Sequence, residues 1–164
     1  MQRIVVFGNS GSGKTTYAHE QSARLDCACL DLDTVAWEPE TETPVRRALA
    51  ASRAEILAFV NATRNWIVEG CYADLLAVAL PQATEIVFLN PGTDTCVDNA
   101  RRRPWEPHKY SSPAAQEKNL PMLIDWIRTY EQRTDEFSSR AHRRLFENFA
   151  GPKLELRSNE RSKR

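Results

Sequence analysis

Residues 8 to 15 read Gly8-Asn9-Ser10-Gly11-Ser12-Gly13-Lys14-Thr15, and no other stretch limits the possible folds so tightly. The pattern G-x-x-x-x-G-K-[ST] is a phosphate-binding loop, and it needs a strand before it and a helix after it. Ile4-Val5-Val6-Phe7 is a continuous apolar run that reads as a buried strand, and Lys14 to Leu25 suits a helix. Glycines let the backbone curl so that successive N–H groups point at phosphate oxygens. The helix N-terminus adds its dipole and its unpaired donors. Gly8 through Thr15, with Thr16 behind them, are therefore expected to hold ATP. Lys14 is expected to reach the β- and γ-phosphates, and the Thr15 hydroxyl to ligate Mg²⁺.

The rest of the chain alternates in the same way. Strands are predicted at Arg3–Phe7, Ala28–Leu32, Trp66–Glu69, Glu85–Leu89 and Lys153–Leu156. These runs are near-continuously apolar, as in a parallel sheet covered on both faces. Helices are predicted at Lys14–Leu25, Pro44–Ala62, Ala73–Ala79, Thr93–Arg103, Leu120–Arg133 and Ser138–Phe149. Thr43 before Pro44 reads as an N-cap followed by proline at the first helical position, and Gly151-Pro152 closes the last helix. The expectation is an α/β fold: a three-layer, doubly wound domain with a five-stranded parallel sheet and helices on both faces. One domain over residues 1–164 is expected, with a lid-like segment at about 101–120 and an acceptor-side helix at about 44–62. The irregular stretch Pro104 to Pro113 is long enough to be functional or mobile.

Composition narrows the partners. The 22 basic and 22 acidic residues cancel, so nothing global points to nucleic acid or an anionic membrane. The four cysteines, 27, 29, 71 and 96, read as buried thiols of a reducing compartment. They lack the second close Cys/His pair of a tetrahedral metal site. With no leader pattern and no long apolar span, the expected location is the cytoplasm, without a membrane partner. The basic tail Arg157–Arg164 reads as a frayed end. The sequence does not set an oligomeric state.

In an open parallel sheet, ligands bind beyond the carboxyl ends of the strands. There the second strand delivers Asp31-Leu32-Asp33, and alternation is expected to put both carboxylates on one side. Such a pair suits Mg²⁺, a proton-accepting role or a hydrogen bond to an acceptor hydroxyl; the plain alternative is that one caps the following turn. Glu69 ends an apolar strand before Gly70, a costly place for an unpaired charge. Both a Mg²⁺-directed role and a structural ion pair remain open for it. Arg101-Arg102-Arg103 ends the helix after the fourth strand, and Arg101 or Arg103 is expected to touch phosphate through its planar fork. Lys109 is a weaker candidate for the same task. Trp37, in Trp37-Glu38-Pro39-Glu40, either lines an acceptor pocket or packs the core, and Trp105 and Tyr110 suit lid packing. His19, His108, His142 and the Leu123/Trp126/Ile127/Tyr130 stripe are assigned no chemistry, the stripe being expected to pack on the sheet.

These residues carry a resemblance. The chain is similar to the P-loop kinases of small metabolites and nucleotides, the group of adenylate kinase, shikimate kinase and gluconate kinase, over nearly its whole length. The resemblance implies that Asp31 and Asp33 serve Mg²⁺ and the acceptor hydroxyl, and that Glu69-Gly70 stands near Mg²⁺. A closer likeness is to a bacterial branch often labelled AAA-type ATPases, adenylate kinases or topology-modulation proteins. That branch shows Leu-Asp-x-x-x-Trp after the second strand and Trp-Ile-Val-Glu-Gly-x-Tyr at the third. This chain has Leu32-Asp33-Thr34-Val35-Ala36-Trp37 and Trp66-Ile67-Val68-Glu69-Gly70-Cys71-Tyr72. The triple glycine of shikimate kinase at the third strand is absent, and Arg103-Pro104-Trp105-Glu106-Pro107-His108-Lys109-Tyr110 is not the adenylate kinase lid.

The function expected is transfer of the ATP γ-phosphate to a small-molecule or nucleotide acceptor. Lys14, Asp33, Arg101 and Arg103 would be catalytic, Thr15, Asp31 and Glu69 would hold Mg²⁺, and Asp33, Trp37 and Tyr72 would bind the acceptor. The alternative is a slow ATPase or regulatory switch without an acceptor. No Asn-Lys-x-Asp for guanine occurs. A nucleic-acid-acting protein would need a basic, aromatic-lined groove, which the balanced charge argues against.

Overall fold

The computed structural model describes residues 1–39 and 43–160. Glu40 of the Trp37–Glu40 segment and residues 161–164 of the basic tail lie outside them. The strands are β1 (Arg3–Gly8), β2 (Ala28–Asp31), β3 (Trp66–Gly70), β4 (Glu85–Leu89) and β5 (Lys153–Leu156). The helices are α1 (Lys14–Leu25), α2 (Asp33–Ala36), α3 (Leu49–Ala62), α4 (Ala73–Ala79), α5 (Thr93–Arg102), α6 (Pro113–Arg128) and α7 (Ser139–Asn148). The strands form one parallel sheet in the order β2-β3-β1-β4-β5. The chain runs outward from β1 to β2, returns through β3, and then crosses β1 to β4. The carboxyl end of β1 therefore lies at the switch point, where parallel sheets place their ligands.

Period-two alternation along β1 builds both faces of the sheet. Val5 and Phe7 join a core with Ile56 and Val60 of α3 and Leu75 and Leu76 of α4, while Ile4 and Val6 face Ala18 of α1. Phe7 stacks on Phe88 of β4 with centroids 5.1 Å apart. Each such side chain, fully buried, contributes about 2–3 kcal/mol. A third cluster joins Cys96, Val97 and Ala100 of α5 to Ile127 of α6.

Four expectations are corrected. The helix predicted from Pro44 begins at Leu49 without a side-chain cap. The preceding residues are drawn into an antiparallel bridge, Trp37 with Arg46, and the Glu38 N–H donates to the Val45 carbonyl at 2.9 Å. The helix predicted at Leu120–Arg133 runs Pro113–Arg128, because Ser112 caps it by accepting the Ala115 N–H and Pro113 stands at its first position. Of the stripe, Leu123 and Ile127 pack against α5 rather than on the sheet, Trp126 meets Phe137, and Tyr130, beyond the end of the helix, meets His142. Of the four thiols, only Cys27 and Cys96 are buried; Cys29 and Cys71 are partly exposed. Among the described residues no helix is long and apolar enough to cross a membrane.

Candidate active site

The loop between β1 and α1 is held by contacts that only glycine permits. A Cβ on Gly8 would sit 2.3 Å from the Leu89 carbonyl oxygen, and one on Gly11 2.3 Å from that of Cys96. Gly11 and Gly13 have φ of 76° and 89°, which L side chains rarely adopt. The loop is also tied down by amides. Asn9 is buried and donates to the Ile127 carbonyl at 3.2 Å. Asn99 of α5 donates to the Gly11 carbonyl at 2.8 Å and Asn159, beyond β5, to that of Ser12 at 3.0 Å, while Asn99 also donates to the Asn159 amide oxygen. Lys14 folds back to the Asn9 carbonyl at 3.4 Å. The Ser12 hydroxyl is buried with no partner. Ser10 is partly buried, and Thr16 faces outward at the start of α1.

Glu69 lies beside this loop. It is 1% exposed, and one carboxylate oxygen accepts from the Thr15 hydroxyl at 2.7 Å while Oε2 has no partner. Burial pushes its pKa up to about 7 against the opposing charge of Lys14. The partner of Glu69 is thus the hydroxyl of the phosphate loop rather than a basic side chain.

Asp31 and Asp33 come together by a turn, not by strand alternation. β2 ends at Asp31, whose carboxylate accepts the Asp33 N–H at 2.8 Å and so closes the turn that leads into the short helix α2. Burial, together with the Asp33 charge, raises the Asp31 pKa. The Asp33 side chain is 37% exposed. Its Oδ1 accepts from the Tyr72 hydroxyl at 2.5 Å and its Oδ2 pairs with the Lys109 ammonium at 2.8 Å. Burial acts to raise its pKa, but the Lys109 charge and these hydrogen bonds hold it below the usual carboxylate range. Trp37 both packs on the core and donates from Nε1 to the Tyr72 hydroxyl at 2.8 Å. Burial raises the Tyr72 pKa, so the phenol stays a donor.

The arginines after β4 are held within their own segment. Arg101 pairs with Asp98 at 3.5 Å and is exposed; Arg103 pairs with Glu106 at 3.3 Å. From the segment after α5, Lys109 reaches the strand ends through its pair with Asp33. Trp105 donates to the Tyr110 carbonyl at 3.1 Å, and Tyr110 accepts from Asn119 at 2.8 Å. These two rings line a cavity of about 270 Å³ under the lid segment.

Sequence reading passed over three groups. Arg46 lies 5.0 and 5.7 Å from the ring centroids of Tyr72 and Trp37 and pairs with Asp74 and Glu136, both at 3.0 Å. Its partners lie 28 and 90 residues away, so no local pattern marks it. Asn99 and Asn159 are equally silent before folding. His142, assigned no chemistry, proves to be a buried brace. Its Nε2 faces the Cys71 carbonyl and its Nδ1 the Tyr130 hydroxyl, each at 2.8 Å. Since a carbonyl only accepts, Nε2 carries the proton and Nδ1 accepts. Burial lowers the His142 pKa to about 4.

The chain belongs to the AAA domain family, whose model matches residues 4–111. Its fold is that of P-loop small-molecule kinases, as the sequence resemblance implied. A shikimate kinase from Bacteroides thetaiotaomicron aligns with a TM-score of 0.55 at 19% identity, covering 99% of this chain and 90% of that one. A shikimate kinase from Acinetobacter baumannii, in complex with shikimate, aligns at 0.54 and 16% identity, covering 98% and 86%. A sugar kinase from Janibacter aligns at 0.50 and 18% identity, covering 96% and 87%. No curated protein matches the chain significantly.

Proposed function

We propose that this protein is an ATP-dependent phosphotransferase acting on a hydroxyl-bearing small molecule. Glu69 carries the reading. A buried carboxylate with one oxygen on the phosphate-loop threonine and the other unpartnered is an expensive arrangement unless a cation completes it. Mg²⁺ fits this donor set: the Thr15 hydroxyl, Glu69 and Asp31 would hold it, with phosphate oxygens and water filling the remaining positions. Among the described residues no three acidic, histidine or cysteine side chains converge as a self-sufficient metal cage, which suits an ion that arrives with the nucleotide. When bound, it would neutralise charge on the β- and γ-phosphates.

The chain's own groups supply the rest. Gly8 to Thr16 would cradle the phosphates through backbone N–H groups and the α1 N-terminus. Lys14 would leave the Asn9 carbonyl for the β- and γ-phosphates. Asp33 would accept the proton of the acceptor hydroxyl as that oxygen attacks the γ-phosphorus and the bond to the bridging oxygen of ADP breaks. Tyr72, anchored by Trp37, would hold the Asp33 carboxylate in place. Arg101 or Arg103 would meet the transferred group on leaving its carboxylate partner.

The deciding measurement is ADP release from Mg-ATP with and without candidate acceptors. Lys14→Ala is expected to lower turnover by about 10²–10³-fold with the fold retained. Asp33→Asn is expected to leave ATP binding intact and to abolish stimulation by acceptor. Turnover that no acceptor stimulates would replace this reading with a slow ATPase.

A further inference from the structure

Taking the phosphotransferase reading as its basis, we infer that the acceptor is an uncharged polyhydroxy compound, such as a sugar, polyol or nucleoside, and not a phosphate- or carboxylate-bearing one. The charges around the acceptor residues carry the inference. Two cations contact Asp33, Trp37 and Tyr72, and carboxylates already occupy both. Lys109 sits 2.8 Å from Asp33 and 3.8 Å from Glu106. Arg46, which spans the rings of Trp37 and Tyr72, places one terminal nitrogen on Glu136 and the other on Asp74, each at 3.0 Å. Its remaining nitrogen, Nε, is buried and out of reach of a ligand. The neighbouring Arg47 is paired in turn with Glu55 at 2.5 Å.

The local sum follows. Arg46, Lys109 and Arg103, which shares Glu106 with Lys109, give +3; Asp33, Asp74, Glu136 and Glu106 give −4, so the acceptor side is net negative by one charge. An anionic acceptor would face this field and would have to detach Arg46 from two carboxylates to find a partner. A neutral hydroxyl needs neither step. It can donate to Asp33 and accept from Lys109, and so insert into the existing Asp33–Lys109 pair without leaving a charge unmatched. The partly exposed Trp37 ring offers a flat wall against which the C–H face of a ring packs. Specificity then rests on exclusion of anions by fixed negative charge as much as on attraction.

The test uses the full chain with Mg-ATP and two acceptor panels. One holds glucose, ribose, inositol, glycerol, adenosine and thymidine. The other holds AMP, CMP, glucose 6-phosphate, gluconate and shikimate. A member of the neutral panel is expected to stimulate ADP release, with every anionic member weaker by at least about tenfold in kcat/KM, the effect of one mismatched charge. In the Asp74→Asn/Glu136→Gln variant, which frees Arg46, that discrimination is expected to shrink. Preferential stimulation by an anionic compound would overturn the acceptor class and leave phosphoryl transfer standing. Failure of both panels to stimulate, with ATP turnover persisting, would instead remove the phosphotransferase reading and this inference with it.

Discussion

The proposed donor and acceptor sides of this site are built by opposite means. The donor side is backbone. Glycines 8, 11 and 13 admit a curl that packs within van der Waals range of β4 and α5, and amides from Asn9, Asn99 and Asn159 tie it to elements far along the chain. The acceptor side is side chain. Asp33 and Trp37, Arg46, Tyr72 and Lys109 come from four segments and meet around the buried Tyr72 ring, through ion pairs whose side chains are a quarter to just over a third exposed. Buried backbone geometry tolerates no alternative, whereas exposed ion pairs are cheap to exchange. A rigid half suits phosphates common to every ATP; an exchangeable half suits an acceptor that must enter and leave.

The contrast can be broken from the donor side first. Gly11→Ala places a Cβ against the Cys96 carbonyl in a left-handed backbone. It is expected to cost about 2–4 kcal/mol, a fall in Tm of roughly 10 °C. Gly92→Ala supplies the control, because Gly92 has φ of 94° but nothing within 4 Å of its Cβ position; it is expected to cost less, about 1–2 kcal/mol, from backbone strain alone. Equal losses in the two melts would show that steric closeness is not what fixes the loop.

The joint between the halves is next. His142 braces the Cys71 carbonyl, between Glu69 on the donor side and Tyr72 on the acceptor side. Its folded pKa of about 4 lies below the unfolded value of about 6.5. The unfolded chain therefore takes up the proton first as pH falls. The stabilisation is complete above pH 6.5 and is lost on descending to pH 4, by about 3 kcal/mol. Glu69, raised to about 7, contributes with the opposite sign over much of the same range. The His142 part is therefore read as the difference between wild type and His142→Gln in denaturant titrations from pH 8 to 4. That difference should be largest at neutral pH and shrink towards pH 4.

Smaller effects are expected on the acceptor side. Arg46→Ala strands Asp74 and Glu136 and removes the cation over two rings. A loss of about 1–2 kcal/mol should appear in equilibrium unfolding, with Arg46→Lys failing to restore it, since lysine lacks the planar fork that bridges two carboxylates. Lys109→Ala should be the mildest, under about 1 kcal/mol in the same measurement. A loss from Lys109→Ala as large as that from Gly11→Ala would erase the distinction between a rigid and an exchangeable half.

Much of this was legible before folding, and what was not has common causes. The central strands β1, β3 and β4 are readable because both faces of a parallel sheet are buried there, so each is a nearly continuous apolar run, while the edge strands β2 and β5 are partly exposed. The start of α6 was missed although Ser112-Pro113 signals it, because the apolar stripe begins later, at Leu120. The start of α3 was misplaced because the backbone of residues 45–47 pairs with residues 36–38, a tertiary claim that overrides the local Thr43-Pro44 signal. Asp31 and Asp33 lie together, as the sequence suggests, but a side-chain-closed turn into α2 rather than strand alternation brings them there. Arg46 had no signature at all.

The sequence by itself determined the phosphate loop, because its function is encoded in contiguous residues whose backbone freedom is local. It also determined the parallel α/β layering, through the spacing of apolar runs. Only the tertiary structure decided that Glu69 meets Thr15, that Lys109 rather than an arginine reaches Asp33, and that Arg46 is spoken for by two carboxylates. Those are pairings between side chains tens of residues apart, and chain connectivity carries no record of them until packing brings the segments together.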